Sequence, residues 1–157
     1  MLESISKLFS TLSSAAKTAQ ALQKLISDVD GDERSLLEEL KENAGLCWLV
    51  TKREVAPIRI INELQTTEYD RIIKTDFDLD KLKRKKIRAS KRYQGTDLQV
   101  FVGKSTAELI ENIYDRIKDI KRIHRIDPDM KRIRWQVRFI NLHKRILLLL
   151  EHLKRND

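Results

Sequence analysis

The segment from Pro128 to Arg155 is the longest and most apolar in the chain, and it constrains the fold more than any other. Asp127 as N-cap and Pro128 in the first turn predict a helix start. At 100° per residue, two apolar lines run along that helix. One holds Trp135, Phe139, Leu142, Ile146, Leu149 and Leu153; the other holds Met130, Ile133, Val137, Ile140 and Leu147. Together they cover more than half the circumference, the pattern of a helix packed on two sides. The remaining arc carries Lys131, Arg134, Arg138, Asn141 and Arg145, a basic ridge. Such a helix is expected at the centre of a bundle.

The rest of the composition agrees. Among 157 residues there are only 4 Gly and 2 Pro, too few for a loop-rich β-sandwich or a Gly-rich nucleotide fold. The expected class is all-α: a single domain over 1–157 with about five helices. The one cysteine, Cys47, excludes an internal disulfide; among Leu46, Trp48 and Leu49 it reads as a reduced, buried hydrophobe. No signal-peptide pattern is present, and the run Ile146 to Leu150 is too short to span a bilayer. A soluble, cytoplasmic protein is the expectation.

Charge is unevenly distributed along the chain. Residues 1–80 carry 10 basic and 15 acidic side chains, whereas 81–92 carry eight basic and none acidic. An acidic first half joined to a basic second half points to a polyanionic partner or to association of opposite halves.

Met1, Ile5, Leu8, Leu12, Ala15, Ala19, Leu22, Ile26 and Val29 alternate at spacings of four and three, a heptad seam. The short acidic turn after it predicts a helical hairpin over 1–50, with Leu37, Leu40, Ala44 and Cys47 facing the seam. A homo-oligomer formed through such seams is the alternative use of the same pattern. Ile58, Ile61, Leu64, Tyr69, Ile72 and Ile73 give a third helical pattern after Pro57, and Phe77 and Leu79 anchor the connection that follows. Residues 81–96 form a basic connecting segment. Leu98, Val100 and Val102 alternate between Gly95 and Gly103, which predicts a short strand and a possible β-hairpin at 86–102. Ser105 to Glu108 is a capping box opening a helix with Ile110, Ile113, Ile117, Ile120 and His124 on one seam. With the last helix it forms a C-terminal hairpin over 105–155.

Two motifs resemble binding loops without completing them. Asp28, Asp30, Asp32 and Glu39 match ligand positions of an EF-hand calcium loop, but Glu33 occupies the position that requires glycine. Acidic residues at a helix start complement its dipole, so no metal site is expected. Gly103-Lys104-Ser105-Thr106 is similar to the tail of a Walker A loop, yet Leu98 stands where the first glycine belongs. No cofactor is implied.

Arg138 to His143 resembles the shortest form of the Arg-x4–6-His motif of the HEPN ribonucleases, helical bundles that pair two such motifs across a dimer. The resemblance implies that Arg138 and His143 act on an RNA phosphodiester. The match covers only these six residues, with Phe139 where a polar residue is usual, and on a regular helix the two side chains lie about 140° apart. Gln136 and His143 fall on one line within the apolar arc, which predicts a hydrogen-bonded core pair.

The basic run is the clearest functional feature. Lys83, Arg84, Lys85, Lys86, Arg88, Lys91 and Arg92 suit a phosphate backbone, and Tyr93 at its end suits stacking on a base. Arg134, Arg138 and Arg145 form a second ridge. Only Leu82 and Ile87 offer apolar insertion into lipid. The expected function is a non-enzymatic binding module contacting nucleic acid through its second half. The competing reading is an assembly subunit facing an acidic protein surface.

Overall fold

The computed structural model describes residues 15–129 and 131–156. It is an all-α bundle with six α-helical segments among these residues. They are α1 (Ala15–Ser27), α2 (Gly31–Thr51), α3 (Pro57–Ile60), α4 (Thr67–Ile73), α5 (Thr106–Ile126) and α6 (Trp135–Lys154). The seam positions Met1, Ile5, Leu8 and Leu12 lie outside the described residues. Within them the seam holds: Leu22 and Ile26 are buried against α2. The hairpin turns at Gly31, whose φ of 56° suits glycine. Cys47 is fully buried, and burial pushes its thiol up.

α6 is central, as its two apolar lines predict. It packs on α2, α5, α1 and α3, and every residue from Leu142 to Leu150 is buried. Its start is later than the sequence suggests. Asp127 caps the end of α5, its N–H bonded to Ile123 O at 2.9 Å, and residues 128–134 contain no helix among those described. Reversing direction between two long antiparallel helices consumes that stretch. Val137 is consequently 44 % exposed, near the open end.

Two other expectations are corrected. The third helical pattern is broken into α3, a 3-10 turn at Ile61–Glu63, and α4. No strand forms among the described residues, so the hairpin at 86–102 is absent. Asp97–Phe101 is a 3-10 helix, capped by Thr96 Oγ1 accepting from Leu98 N at 3.2 Å. Leu98 and Phe101 are three residues apart, so a three-residue turn buries both while Val100 stays 62 % exposed. What survives of the pairing is local: Ile87 N–H donates to Lys104 O at 2.9 Å, and Gly103 N–H donates to Ile87 O at 2.8 Å. Gly103 sits at φ 83° to allow it.

Candidate polyanion interface

The basic segment is folded onto the bundle and pinned by its apolar members. Ile87 and Tyr93 are buried and Leu82 is half-buried, so the run offers lipid no free apolar anchor. Tyr93 is therefore not a stacking platform. Its hydroxyl donates to Glu151 Oε2 at 2.7 Å, and burial, then this carboxylate, push its ionisation well up. Glu151 is the lone carboxylate between residues 130 and 156, the one signal by which the sequence marks this anchor.

The cations of the run divide by task. Lys83 Nζ donates to His152 O at 2.8 Å and Arg155 O at 2.7 Å, closing the carbonyl end of α6, where a cation is favoured. Its own carbonyl accepts from Thr106 Oγ1 at 2.7 Å, and that hydroxyl shares a 2.9 Å hydrogen bond with His152 Nε2. Arg84 pairs with Asp78 at 2.7 Å and Arg92 with Glu151 at 3.4 Å. Lys85, Lys86, Arg88 and Lys91 are exposed. Lys104, which sequence reasoning left out, joins them through the Ile87 pairing and is exposed too. It was hidden because it reads as part of a phosphate-loop tail. The Ser105 backbone N–H holds the Glu108 carboxyl below the usual range, with help from Lys104 and Lys86 nearby.

The second ridge is not continuous. Arg134 and Arg138 are exposed, whereas Arg145 is 4 % exposed and faces the segment that crosses α6. Its Nη1 donates to Asp97 Oδ2 at 3.3 Å and Asn141 O at 2.9 Å, and its Nε to Asn112 Oδ1 at 3.1 Å. Arg134 and Lys83's carbonyl partners mark opposite ends of α6, about 30 Å apart for a helix of this length. The sequence could not show this, because only the docked segment 97–101 covers the arc that Arg145 occupies.

Arg138 and His143 are not brought to one surface of the chain. Arg138 is exposed, while His143 is 2 % exposed and shares a 2.9 Å hydrogen bond from Nδ1 to Thr51 Oγ1. Burial, then the Lys52 charge, push its pKa down to about 4. Nor do Gln136 and His143 bond to each other among the described residues. Gln136 is exposed and its Nε2 donates to Val50 O at 3.2 Å, so both side chains tie α6 to the end of α2. His143 also lines a cavity of about 360 Å³ with Leu22, Trp48 and Leu49. His124 stays half-buried near the end of α5, its ring edge-on to Trp135 at 6.2 Å between centroids.

The calcium-like pattern dissolves into two other jobs. Asp32 pairs with Arg71 at 2.8 Å. Glu39 is buried and accepts from Glu68 N at 2.7 Å and Tyr69 N at 3.1 Å, capping α4 from a neighbouring helix. Among the described residues no group of three or more His, Cys, Asp or Glu side chains could hold a metal. Calcium is accordingly expected to leave the melting midpoint unchanged; a rise of several degrees that Asp30→Ala removes would restore the metal loop. At the Walker-like tail, Ser105 and Glu108 form the full capping box, with Glu108 N–H to Ser105 Oγ at 3.2 Å and Ser105 N–H to Glu108 Oε2 at 2.8 Å. No helix among the described residues is long and apolar enough to cross a membrane. Comparison with protein-family models, curated proteins and solved structures finds no match to this chain.

Proposed function

We propose that this bundle is a binding module that contacts the phosphate backbone of nucleic acid through Lys85, Lys86, Arg88, Lys91 and Lys104. The observation that carries this reading is the position of these cations: all are exposed on a segment held in place by the buried Ile87 and Tyr93. A cationic surface fixed by packing loses little conformational freedom when a polyanion lands on it. Phosphate neutralisation releases counterions, so affinity falls with salt in proportion to the phosphates touched. Lys83 acts mainly as the frame, Arg84 and Arg92 are engaged by Asp78 and Glu151, and Arg134 and Arg138 are too distant to extend the same contact. The geometry supports no sequence-specific readout, because neither a recognition helix nor a stacking aromatic projects from this surface.

Replacing Lys85, Lys86, Arg88 and Lys91 by Gln is expected to reduce the slope of log affinity against log salt by about three units. The melting midpoint should move little, because these side chains are exposed. Filter binding of single-stranded RNA and duplex DNA across a salt series decides it. Equal slopes in the native and substituted proteins would remove this surface from the site.

A second reading has its own observation. At the far end of α6, Ile126 is 73 % exposed and Val137 44 % exposed, in a region that also carries Arg125, Arg132, Arg134 and Arg138. Apolar side chains among cations suit an acidic protein partner in an assembly. Light scattering that shows association lost in an Ile126→Asp, Val137→Asp variant would favour that use of the chain.

A further inference from the structure

Where segment 97–101 crosses α6, positive charge exceeds negative charge, even with the Phe101 ring 5.5 Å from the Arg145 guanidinium. Lys144 and Arg145 each keep only 5 % of their side-chain surface exposed, and both reach the same carboxylate, Asp97, at 2.8 and 3.3 Å. Asp97 is itself 41 % exposed, so it is shared with solvent. Arg116 stands alongside: its Nε donates to Asn112 Oδ1 at 3.2 Å, and Arg145 Nε donates to that same oxygen at 3.1 Å. One neutral amide thus serves two guanidiniums side by side. Among the described residues Arg116 makes no ion pair, and Arg145 pairs with Asp97 alone. Three cations therefore gather beside one carboxylate that only Lys144 and Arg145 reach, and those two are largely removed from water.

Burying charge without a counter-charge is costly, and the cost is relieved by any anion that can reach the excess. Access exists. Arg145 Nη2 and both Nη atoms of Arg116 make no hydrogen bond among the described residues, and none is a sealed, orphaned atom. Two adjacent guanidinium edges offer the forked donors that a tetrahedral oxyanion accepts, with Lys144, on the other oxygen of Asp97, adding a point charge. We infer that Arg116 and Arg145, backed by Lys144, form a binding site for a phosphate group, lying between α5, α6 and the 97–101 turn. The site goes beyond the proposed loop contact and does not depend on it. Its ligand is either a free phosphate or phosphomonoester, or a phosphodiester of a bound nucleic acid.

The test measures thermal stability of the full chain with inorganic phosphate against chloride at matched ionic strength, and RNA binding across a salt series. For a free-phosphate site, phosphate at tenfold its dissociation constant raises the melting midpoint by about 3–5 °C, and Arg116→Gln removes the rise. For a backbone phosphodiester, phosphate alone does nothing, while Arg116→Gln lowers the RNA salt slope by about one unit. Asn112→Asp supplies the missing negative charge within the chain. It should raise the midpoint in chloride and abolish the response to the ligand, which a merely damaged fold would not do. The inference is overturned if Arg116→Gln changes neither the phosphate response nor the RNA slope. It is equally overturned if Asn112→Asp lowers the midpoint and keeps the native response. Neither result bears on the loop, whose substitutions are separate.

Discussion

Replacing Glu39 by Ala is expected to lower the melting midpoint by about 8–15 °C. The carboxylate is 3 % exposed and accepts the Glu68 and Tyr69 backbone N–H groups at 2.7 and 3.1 Å. Its removal leaves both donors without their acceptor. Hydrogen bonds to a charged acceptor contribute about 1.5–3 kcal/mol each, so the loss is about 3–5 kcal/mol after partial relief of the cost of burying the charge. The carboxylate also lies at the amide end of α4, where negative charge is favoured. Glu39→Gln keeps an accepting oxygen without the charge and should fall midway between native and Ala. Thermal melts of the three proteins check this. A loss below about 2 °C for the Ala variant would mean that α4 finds another cap, and that Glu39 is not what docks it.

Acid should weaken the fold through His143 before it reaches the carboxylates. The folded-state pKa is pushed down to about 4 from the ordinary 6.5, by burial first and the Lys52 charge second. As pH falls below 6.5 the unfolded chain takes up the proton first, so stability present above that pH is lost progressively down to about pH 4. A shift of this size corresponds to about 3 kcal/mol. Asp70 and Asp97 have carboxyls held below their usual range, despite desolvation, by Lys118 and by Lys144 respectively. They lose stability in the same direction, but only lower on the pH scale. His143→Gln retains a partner for Thr51 and cannot charge. Urea melts between pH 7 and 4.5 should show a clearly flatter decline for that variant, although it starts lower at pH 7. Parallel declines would place the acid sensitivity elsewhere.

The sequence was most informative where the signal is local or periodic. The capping box at Ser105 and Glu108 needs four consecutive residues, and it formed as read. The double apolar line of the last segment placed α6 at the centre, because burial on several sides leaves no other pattern. Long-range docking was not legible. Arg145 belongs to a basic arc by helical geometry, yet a turn from residues 97–101 lies over that arc and buries it. Tyr93 ends a cationic run and reads as exposed, until Glu151, 58 residues later, receives its hydroxyl. Glu39 resembled a calcium ligand because a helix cap supplied from 29 residues away leaves no trace in nearby sequence. The alternation at Leu98, Val100 and Val102 was misleading for a plainer reason: a three-residue turn explains the burial of Leu98 and Phe101 as well.

The unbroken burial from Leu142 to Leu150 also fixes how this molecule comes apart. Helices with one wet face can loosen by themselves, giving proteins a ladder of partly opened forms. α6 has no such face over this stretch, since α1, α2, α5 and the 97–101 turn enclose it together. Opening it requires undocking several neighbours at once, so its local and global opening free energies converge. Its amide protons should therefore exchange with solvent only when the whole chain unfolds.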